Sequence, residues 1–269
     1  DVDLKSYFDT IPHDRLMDLV KQRIVDGSVL ALLEQGLQAG VMEELKGWQP
    51  TERGTPQGAP ISPLLSNLYM RRFVLGWKSL GYGERLQARI VNYADDFVIL
   101  CRKSGEQAYA AMSALMGQLG LRVNTEKTRL CKVPEESFDF LGYRFGRCYS
   151  TKNGREYIGT QPSTKKVAGI IKRISQKTQR RTLCCEAAEK VEELNALLRG
   201  WGNYFCLGPV SKAYRAVDAH CCYRLRQWLC RKHKVRGAGT GRYPDEYLYG
   251  TLGLVRLAVT THNFPWAKA

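Results

Sequence analysis

The apolar residues of the first forty positions recur every three or four residues, which is the spacing of one face of an α-helix. Gly27 and Gly40 divide and end this series. The pattern predicts two amphipathic helices between His13 and Gly40, built on Leu16, Leu19, Val20, Ile24, Val29, Leu32, Leu33 and Leu37. Neither predicted helix carries residues that suggest chemistry, so we expect both helices to support the fold.

Residues 89–100 follow a different pattern. Two runs rich in apolar and β-branched residues, 89–93 and 97–100, flank a short segment that contains Asp95 and Asp96. Apolar runs on either side of a tight turn are typical of a β-hairpin. The pattern therefore predicts a strand-turn-strand hairpin with two adjacent carboxylates at its tip.

Capping and periodicity signals predict further elements in the first half of the chain. Ser62 as N-cap and Pro63 at the first helical position predict the start of a helix. This helix runs through Leu64, Leu65, Leu68, Phe73 and Leu75. Residues 105–120 have an amphipathic pattern that is closed by a glycine. Residues 121–128 alternate between apolar and polar side chains, which predicts a strand that leads into a turn.

The second half of the chain changes character after residue 143. The dipeptide Asn153-Gly154 is a strong signal for a tight turn and predicts a hairpin. Three helices are predicted after this hairpin. The apolar face of the first is formed by Val167, Ile170, Ile171 and Ile174. The second spans residues 186–205, and the third spans residues 211–233.

The composition is that of an ordinary globular protein, with 44% hydrophobic and 25% charged residues. A chain of 269 residues has room for one large domain or two modest ones. The sequence contains no run of about eighteen apolar residues and no secretory pattern at its start, so we expect no membrane partner. We expect a cytoplasmic location, with a nucleoid-associated or organellar location as the alternatives.

Charge is distributed unevenly along the chain. Residues 1–142 carry 17 Lys and Arg against 18 Asp and Glu, whereas residues 143–269 carry 24 against 8. This asymmetry predicts a nearly neutral module that performs chemistry, followed by a basic module that binds nucleic acid. A basic surface that serves only solubility is the alternative. The candidate RNA-binding residues are Lys165, Lys166, Lys172, Arg173, Arg180, Arg181, Arg231 and Lys232.

The nine cysteines, without a secretory signal, suggest reduced thiols. The pairs Cys184-Cys185 and Cys221-Cys222 lie near His220, Cys230 and His233. Structural zinc sites usually space their ligands two to four residues apart, and adjacent cysteines do not meet that spacing. We therefore expect no zinc site here.

Asp95 and Asp96 place two like charges side by side in a segment otherwise suited to burial. Adjacent carboxylates repel each other and lose hydration unless a cation shares the site. Mg²⁺ prefers hard oxygen ligands of this kind and also binds phosphate oxygens. A divalent metal site is thus one interpretation of the pair, and a solvated turn is the other.

Several strings, in this order, resemble the motifs of reverse transcriptases encoded by group II introns. The strings are residues 1–13, Thr55-Pro56-Gln57-Gly58 followed by Ser62-Pro63-Leu64-Leu65 and Asn67, Tyr93-Ala94-Asp95-Asp96, residues 121–128, Phe138-Asp139-Phe140-Leu141-Gly142-Tyr143, and, in the basic half, residues 197–205 and 228–233. The resemblance covers nearly the whole chain, and the hexapeptide at 138–143 is similar to the family's primer-grip hairpin.

The resemblance implies a set of metal ligands and a nucleotide-selecting residue. Asp3, Asp95 and Asp96 would hold two Mg²⁺ ions, and Asp1 or Asp9 is the alternative to Asp3. Phe8 would exclude a ribose 2′-hydroxyl and so select deoxynucleotides; the alternative is that Phe8 belongs to the core.

The same resemblance implies further contacts with substrates. Gln57 and Gly58 would lie against the nascent base pair, and Tyr93 and Ala94 would lie beside the substrate at the catalytic hairpin. Lys127 would neutralise or protonate the pyrophosphate leaving group. An exposed loop lysine is the alternative interpretation of Lys127.

The resemblance also implies the architecture. We expect an α+β fold in which residues 1–142 form a reverse-transcriptase palm, an antiparallel sheet with packed helices, and residues 143–269 form a helical thumb or maturase domain that binds RNA. The fingers that precede the first catalytic Asp in the family would be missing, as would a His-Asn-His endonuclease domain. We therefore expect this chain alone to be inactive or weak.

The implied function is RNA-directed DNA synthesis for a group II intron, with binding of the structured intron RNA to assist splicing and retrohoming. Its partners would be that RNA, an RNA template, a DNA primer, deoxynucleoside triphosphates and a DNA target. One alternative is a non-catalytic RNA-binding splicing cofactor. The other is a reverse transcriptase of a defence or diversity-generating element. We expect Trp201, Tyr204 and Trp228 to be core residues rather than RNA contacts.

Overall fold

In the computed structural model of the chain, the described residues are 2, 4–43, 47–49, 51–55, 58–102, 104–150 and 153–260, with the backbone alone at 41–43 and 47–49. The chain divides into two compact units, residues 1–131 and residues 132–269. The boundary expected after residue 142 from the sequence falls inside the second unit. The functional division into a palm before residue 143 and a thumb after residue 142 stays a prediction.

The first unit combines helices with short antiparallel strands. Strand β1 pairs with β2 and β3 pairs with β4. This mixture agrees with the predicted α+β class, and α2 and α3 confirm the two helices expected near the start. The elements are α1 (Tyr7–Thr10), α2 (His13–Lys21), α3 (Gly27–Gln38), β1 (Val41–Glu43), β2 (Gly47–Gln49), α4 (Ser62–Ser79), α5 (Tyr82–Arg85), β3 (Ala88–Tyr93), β4 (Asp96–Cys101) and α6 (Gly105–Gln118).

The β3–β4 hairpin closes with a two-residue turn. Tyr93 pairs with Asp96, so Ala94 and Asp95 alone form the turn. The prediction of a hairpin with adjacent acids at its tip is confirmed.

Helix α4 forms part of the core of the first unit, because its buried residues recur every four positions. Leu65, Tyr69, Phe73 and Trp77 are each at most 4% exposed. The ring of Phe73 packs against that of Phe97 in β4, with centroids 5.3 Å apart. Burial of a large apolar side chain contributes roughly 1.5–3 kcal/mol. This packing therefore holds the hairpin firmly against the helices.

The start of α4 differs from the sequence prediction by one residue. Ser62 is the first helical residue, and Ile61 occupies the N-cap position without a side-chain hydrogen bond. The N–H of Ser62 donates to the carbonyl of Ala59 at 3.1 Å, so a turn before the helix satisfies this donor. The prediction of Ser62 as N-cap is wrong, whereas the helix itself is confirmed.

The strand predicted at residues 121–128 is not formed. Val123 makes one bridge, to Leu4, and no ladder continues from it within the described residues. The side-chain oxygen of Asn124 accepts a hydrogen bond from the N–H of Glu126 at 3.2 Å. Asn side chains that bond the backbone two residues ahead favour turns over strands. This local hydrogen bond explains why the alternating pattern ends in a turn.

The second unit consists of one sheet and a group of helices. Its three strands are antiparallel in the order β5-β6-β7. Helices α8 and α9 confirm the predictions to within one residue at each end. In the described parts of both units, no helix is long and apolar enough to cross a membrane. The elements are β5 (Phe138–Phe140), β6 (Tyr143–Tyr149), β7 (Glu156–Pro162), α7 (Thr164–Lys177), a 3₁₀ turn (Arg180–Thr182), α8 (Ala187–Tyr204), α9 (Ser211–Lys232), a π-helical turn (Tyr247–Thr251) and α10 (Leu257–Thr260).

Short connections join the strands of this sheet. Leu141 and Gly142 form the turn between β5 and β6, and both have left-handed φ angles, +50° and +82°. A two-residue hairpin turn of this kind requires positive φ at both positions. Gly154 also has a positive φ, +67°, in the connection between β6 and β7. Both hairpins expected from the sequence are confirmed.

Helix α9 runs through the helical core of the second unit. Tyr214, Leu225 and Trp228 on this helix are fully buried. Ile170 and Ile174 of α7 belong to the same core, as their spacing predicted. Apolar packing against a single long helix therefore organises the unit.

Two buried polar side chains attach the segment after residue 252 to the helices. The carboxylate of Asp218 accepts hydrogen bonds from the N–H groups of Leu257 and Ala258, each at 3.0 Å. The side chain of Asn195 accepts from the N–H of Val255 at 2.7 Å and donates to the carbonyl of Gly253 at 2.9 Å. These polar residues in α8 and α9 therefore act as anchors for the end of the described chain.

Candidate functional site

The turn of the β3–β4 hairpin has a constrained backbone. Ala94 has a φ of +53°, in the left-handed region. That region costs a residue with a Cβ roughly 1–2 kcal/mol, so surrounding contacts must hold it. The side-chain amide of Asn92 donates to the carbonyl of Ala94 at 3.0 Å. Strand pairing and this hydrogen bond together fix the backbone from which Asp95 and Asp96 project.

The donor set at this tip fits a hard divalent cation. Asp95 is half-buried and Asp96 is exposed. Among the residues that the structure describes, no cation or hydrogen-bond donor contacts the Asp95 carboxylate. Carboxylate oxygens without a protein counter-charge are suitable ligands for Mg²⁺. Asp95 could therefore ligate a metal ion, and Asp96 supplies a second carboxylate next to it in the chain.

Tyr7 lies near this tip but does not neutralise it. Its hydroxyl donates to the carbonyl of Ser66 in α4 at 2.5 Å. Burial raises the pKa of the Tyr7 phenol, and the charges of Tyr69 and Asp95 raise it further. Tyr7 therefore stays protonated and links the first segment of the chain to α4.

The first metal ligand predicted from the sequence, Asp3, lies outside the described residues, as does its alternative Asp1. The N–H of Val2, next to Asp3, donates to the carbonyl of Phe97 in β4 at 3.1 Å. Asp9, the other alternative, is exposed in α1. Within the described ranges, no three His, Cys, Asp or Glu side chains form a group that could hold a metal. The three-carboxylate site thus stays a prediction.

The loop before α4 packs directly on the backbone that carries Phe8. The N–H of Thr55 donates to the carbonyl of Phe8 at 2.6 Å, and the N–H of Gly54 donates to the carbonyl of Ile11 at 2.7 Å. Gly54 has a φ of +89°, and a Cβ added there would lie 2.6 Å from the oxygen of Phe8. Only glycine therefore fits at this contact.

A histidine reinforces the same contact. The Nε2 atom of His13 lies 2.6 Å from the carbonyl oxygen of Gly54, a hydrogen bond in which the ring nitrogen donates. No sequence pattern predicted this link between residues 8–13 and 53–55. The glycine between Arg53 and Thr55 is the local feature that could have indicated a close contact, but a glycine does not identify the residues that it contacts. Phe8 itself is half-buried and packs against the core of the first unit.

The other predicted substrate contacts lie on separate elements of the first unit. Gly58 is exposed, with a φ of +89°, whereas Gln57 lies outside the described residues. Tyr93 is 67% exposed beside the hairpin tip. Lys127 is exposed on the turn that follows Val123. The structure therefore brings Tyr93 and Ala94 together with the two acids, and it places Lys127 on another loop.

Seven of the eight predicted RNA-binding residues are exposed, and Lys232 is the exception. The ammonium group of Lys232 donates to the carbonyls of Leu183 and Cys185 at 3.3 and 2.9 Å. It also lies 5.7 Å from the centroid of the Trp228 ring. Lys232 therefore has an internal role that its sequence position did not reveal.

The three aromatic residues expected in the core behave differently. Trp228 is fully buried, and its Nε1 donates to the hydroxyl of Thr182 at 3.0 Å. Trp201 is half-buried. Tyr204 is 54% exposed, and its hydroxyl donates to the carbonyl of Leu141 at 2.9 Å. The prediction of a core residue is therefore confirmed for Trp228 and wrong for Tyr204, whose ring is available to a ligand.

The cysteine pairs have structural environments. Cys221 and Cys222 are buried in α9, and burial raises the pKa of both thiols. The sulfur of Cys222 lies 2.9 Å from the hydroxyl of Tyr249. Cys184 is exposed, and Cys185 is half-buried. Buried, protonated thiols of this kind behave as small core residues.

Family comparisons agree with the α+β fold class. The profile described as reverse transcriptase (RNA-dependent DNA polymerase) matches residues 1–145. The profile described as group II intron, maturase-specific domain matches residues 167–243. The chain belongs to the reverse transcriptase family, and it also carries the maturase-specific domain of group II introns.

Individual relatives share parts of this chain. Protein YkfC of Escherichia coli K12 is 31% identical over 194 residues, which cover 61% of this chain and 50% of that protein. The group II intron-encoded protein LtrA of Lactococcus lactis is 41% identical over 81 residues, or 28% of this chain and 13% of LtrA. A 91 kDa protein in the cob intron of Schizosaccharomyces pombe is 22% identical, over 76% of this chain and 34% of that protein. The chain spans half or less of the length of each of these relatives.

Proposed function

We propose that this chain is the catalytic and RNA-binding part of a group II intron reverse transcriptase, which copies RNA into DNA and also binds intron RNA to assist splicing. The observation that carries the proposal is the β3–β4 hairpin, which holds Asp95 and Asp96 at its tip within the region that matches the reverse transcriptase family. The maturase-specific match and the basic surface of the second unit support the splicing role.

Asp95, Asp96 and Asp3 are the proposed metal ligands. Two Mg²⁺ ions bound there would supply activation of the primer 3′-hydroxyl and neutralisation of the pyrophosphate charge. The hairpin carries the two adjacent carboxylates at its tip, where Asp96 is exposed, and this exposure supports access for a triphosphate. Lys127 is proposed to neutralise the negative charge of the pyrophosphate leaving group or to protonate it.

Two other segments are proposed to position the nucleotide and template. Phe8 would restrict the space beside the ribose 2′ position, and Gln57 with Gly58 would contact the nascent base pair. Gly54 and Thr55, which precede Gln57 in the chain, donate hydrogen bonds to the backbone of residues 8–11, and this link supports a shared role for the two segments. The proposed substrates are an RNA template, a DNA primer and deoxynucleoside triphosphates, with a DNA target and structured intron RNA as macromolecular partners.

Primer extension on poly(rA)/oligo(dT) with Mg²⁺ tests the polymerase proposal. We compare the chain with Asp95→Asn and with Glu34→Gln, a control that changes an exposed acid of α3. Extension should vanish in Asp95→Asn and persist in Glu34→Gln. Extension that persists in Asp95→Asn would contradict the assignment.

Binding of Mn²⁺, followed by electron paramagnetic resonance, gives a readout that needs no polymerisation. Asp95→Asn should weaken Mn²⁺ binding by about tenfold or more, because a hard carboxylate ligand is lost. If the parent chain binds RNA tightly but neither extends a primer nor binds Mn²⁺, the chain is a non-catalytic splicing cofactor instead.

A further inference from the structure

A glycine-rich basic loop follows α9. Residues 219–244, which include this loop and the end of α9, contain seven Lys and Arg and no Asp or Glu. Positive charges that lie close together in a short stretch repel each other. The repulsion is reduced where a side chain bonds to an acceptor in the fold or to a ligand. The contacts of the seven residues show which cations belong to the fold.

Three of the seven cations are used within the second unit. The Arg224 guanidinium donates to the hydroxyl and carbonyl of Thr178 at the end of α7, at 3.0 and 3.1 Å. Arg226 donates to the carbonyl of Tyr243 at 2.8 Å. Lys232 donates to backbone carbonyls after the 3₁₀ turn, as described above. These three residues therefore stabilise the fold.

The other four cations are exposed: Arg231, Lys234, Arg236 and Arg242. None of their side chains contacts an acid or a carbonyl in the part of the chain that the structure describes. Burial and internal hydrogen bonding thus do not account for this group. Their charges are available to a ligand.

The backbone of the loop is fixed at its base and open at its outer side. A Cβ added to Gly239 would lie 2.2 Å from the sulfur of Cys230, so the loop packs closely on α9 there. Tyr243 is 6% exposed, and its N–H donates to the carbonyl of Gly239 at 2.8 Å. The N–H groups of residues 236–242 donate to no other described residue. A row of free N–H groups in a glycine-rich loop is typical of anion-binding loops.

The loop begins next to a basic segment that is predicted from the sequence to bind RNA. Trp228 bonds to Thr182, and Lys232 bonds to the carbonyls of Leu183 and Cys185. These contacts place the end of α9 against the segment that directly follows Arg180 and Arg181, which are both exposed. The loop therefore extends an existing basic surface.

We propose that the loop formed by residues 233–242 binds the phosphodiester backbone of RNA. The contacts would come from Lys234, Arg236, Arg242 and the free backbone N–H groups between them. The inference rests on the proposed function, because RNA is the partner of that function. Phosphate contacts supply affinity without reading sequence, and they make binding sensitive to salt. Tyr243, the aromatic residue at the end of the loop, is buried, so base stacking is not its role.

Fluorescence anisotropy with a labelled RNA hairpin tests this inference on the whole 269-residue chain. The variant Lys234→Gln/Arg236→Gln/Arg242→Gln removes three loop cations. The control Lys21→Gln/Arg23→Gln/Lys78→Gln removes three exposed cations of the first unit, so that net charge changes equally. In KCl from about 50 to about 200 mM, the loop variant should lower the slope of log affinity against log salt by about 2. Its affinity at the lowest salt should fall about 10-fold to 100-fold relative to the control.

A second variant tests the backbone contribution without a change of charge. Gly237 has a φ of +84° and open space around its Cβ position. Gly237→Ala should therefore reorganise the loop without disturbing the core, and it should weaken RNA binding several-fold. The matched control is Gly169→Ala, at an open surface position of α7. Equal affinities of Gly237→Ala and Gly169→Ala would overturn the role of the loop backbone.

The outcomes separate this inference from the proposed function. If the parent binds RNA with a steep salt dependence and the loop variant equals its control, the loop inference is wrong and the proposed function stands. If the parent shows no salt-dependent RNA binding, the splicing part of the proposed function fails together with the inference. A loss that occurs with duplex DNA and not with RNA would overturn RNA as the ligand.

Discussion

The two units use acidic side chains in opposite ways. Asp95 in the first unit projects from a hairpin tip, and no cation or donor among the described residues satisfies it. Asp218 in the second unit is 6% exposed, and its carboxylate accepts two backbone N–H groups. An acid that the backbone satisfies belongs to the fold, whereas an acid left without a donor at the surface is available to a ligand.

The basic side chains show the same division within one unit. Residues 1–131 carry 16 Lys and Arg against 15 Asp and Glu, and residues 132–269 carry 25 against 11. The excess in the second unit is partly structural, because Arg224 and Lys232 bond to carbonyls of the fold. Lys234 and Arg236 have no such partner among the described residues. The net charge of the second unit is therefore larger than the charge that its surface makes available to a ligand.

The same substitution in the two units should have different consequences. Asp218→Ala should lower the free energy of unfolding by about 2–4 kcal/mol, because two buried N–H groups lose their acceptor. Asp95→Ala should change it by less than about 0.5 kcal/mol, because surface changes away from structural contacts are nearly neutral. Urea unfolding followed by circular dichroism measures both values. Equal losses would contradict the comparison.

Two glycines of the first unit provide the next contrast. Gly54→Ala should destabilise the first unit by about 2–3 kcal/mol, because the new methyl group meets the backbone of residues 8–9 and the φ angle is unfavourable. Gly36→Ala, at an open position in α3, should stabilise by about 0.5–1 kcal/mol. Thermal unfolding measures the two shifts. A neutral Gly54→Ala would show that residues 8–11 and 53–55 are not held together as described.

A buried hydroxyl of the second unit gives a smaller effect. The Tyr214 hydroxyl lies 2.9 Å from the carbonyls of Gly202 and Phe205, and burial raises the pKa of this phenol. Tyr214→Phe should cost about 1–2 kcal/mol. Tyr223→Phe, at a ring that is 55% exposed, is the control and should have no measurable effect. Urea titration of both variants compares them, and indistinguishable midpoints would refute the structural role of the Tyr214 hydroxyl.

The smallest effect concerns pH. Burial, with a smaller contribution from Arg224, lowers the pKa of His220, whose Nε2 lies 2.9 Å from the Ser175 hydroxyl. The unfolded chain therefore takes up this proton at a higher pH than the folded chain. Stability is retained above the ordinary value of 6.5 and declines as the pH falls below it. His220→Gln should remove this component of the decline, as measured by urea midpoints between neutral and mildly acidic pH. An unchanged pH dependence would assign the decline to other groups.

Local patterns were sufficient to predict several elements. The hairpin at residues 89–100 was predictable because two apolar runs enclose a turn-length polar segment. Helices α8 and α9 were predictable because their apolar spacing and ends are encoded in neighbouring residues. The adjacent carboxylates were recognisable as candidate metal ligands for the same reason, since both lie in one short string.

Long-range contacts decided what the sequence did not reveal. Arg224 bonds to Thr178, and Lys232 to Cys185, across 46 and 47 residues of sequence. No local pattern distinguishes such anchoring cations from those that face a ligand. The predicted strand at 121–128 failed because Asn124 bonds to its own turn. The contact of Gly54 with the backbone of Phe8 likewise depends on a segment more than forty residues away.

The central claim is that the first unit performs catalysis and the second binds RNA, and that these activities are separable. The most direct test measures RNA affinity and primer extension on one preparation of Asp95→Asn and its parent. The account predicts an RNA affinity within about twofold of the parent, together with loss of detectable extension, since a bound metal supplies several kcal/mol of transition-state stabilisation. Parallel loss of RNA affinity and extension, or extension equal to that of the parent, would contradict the account.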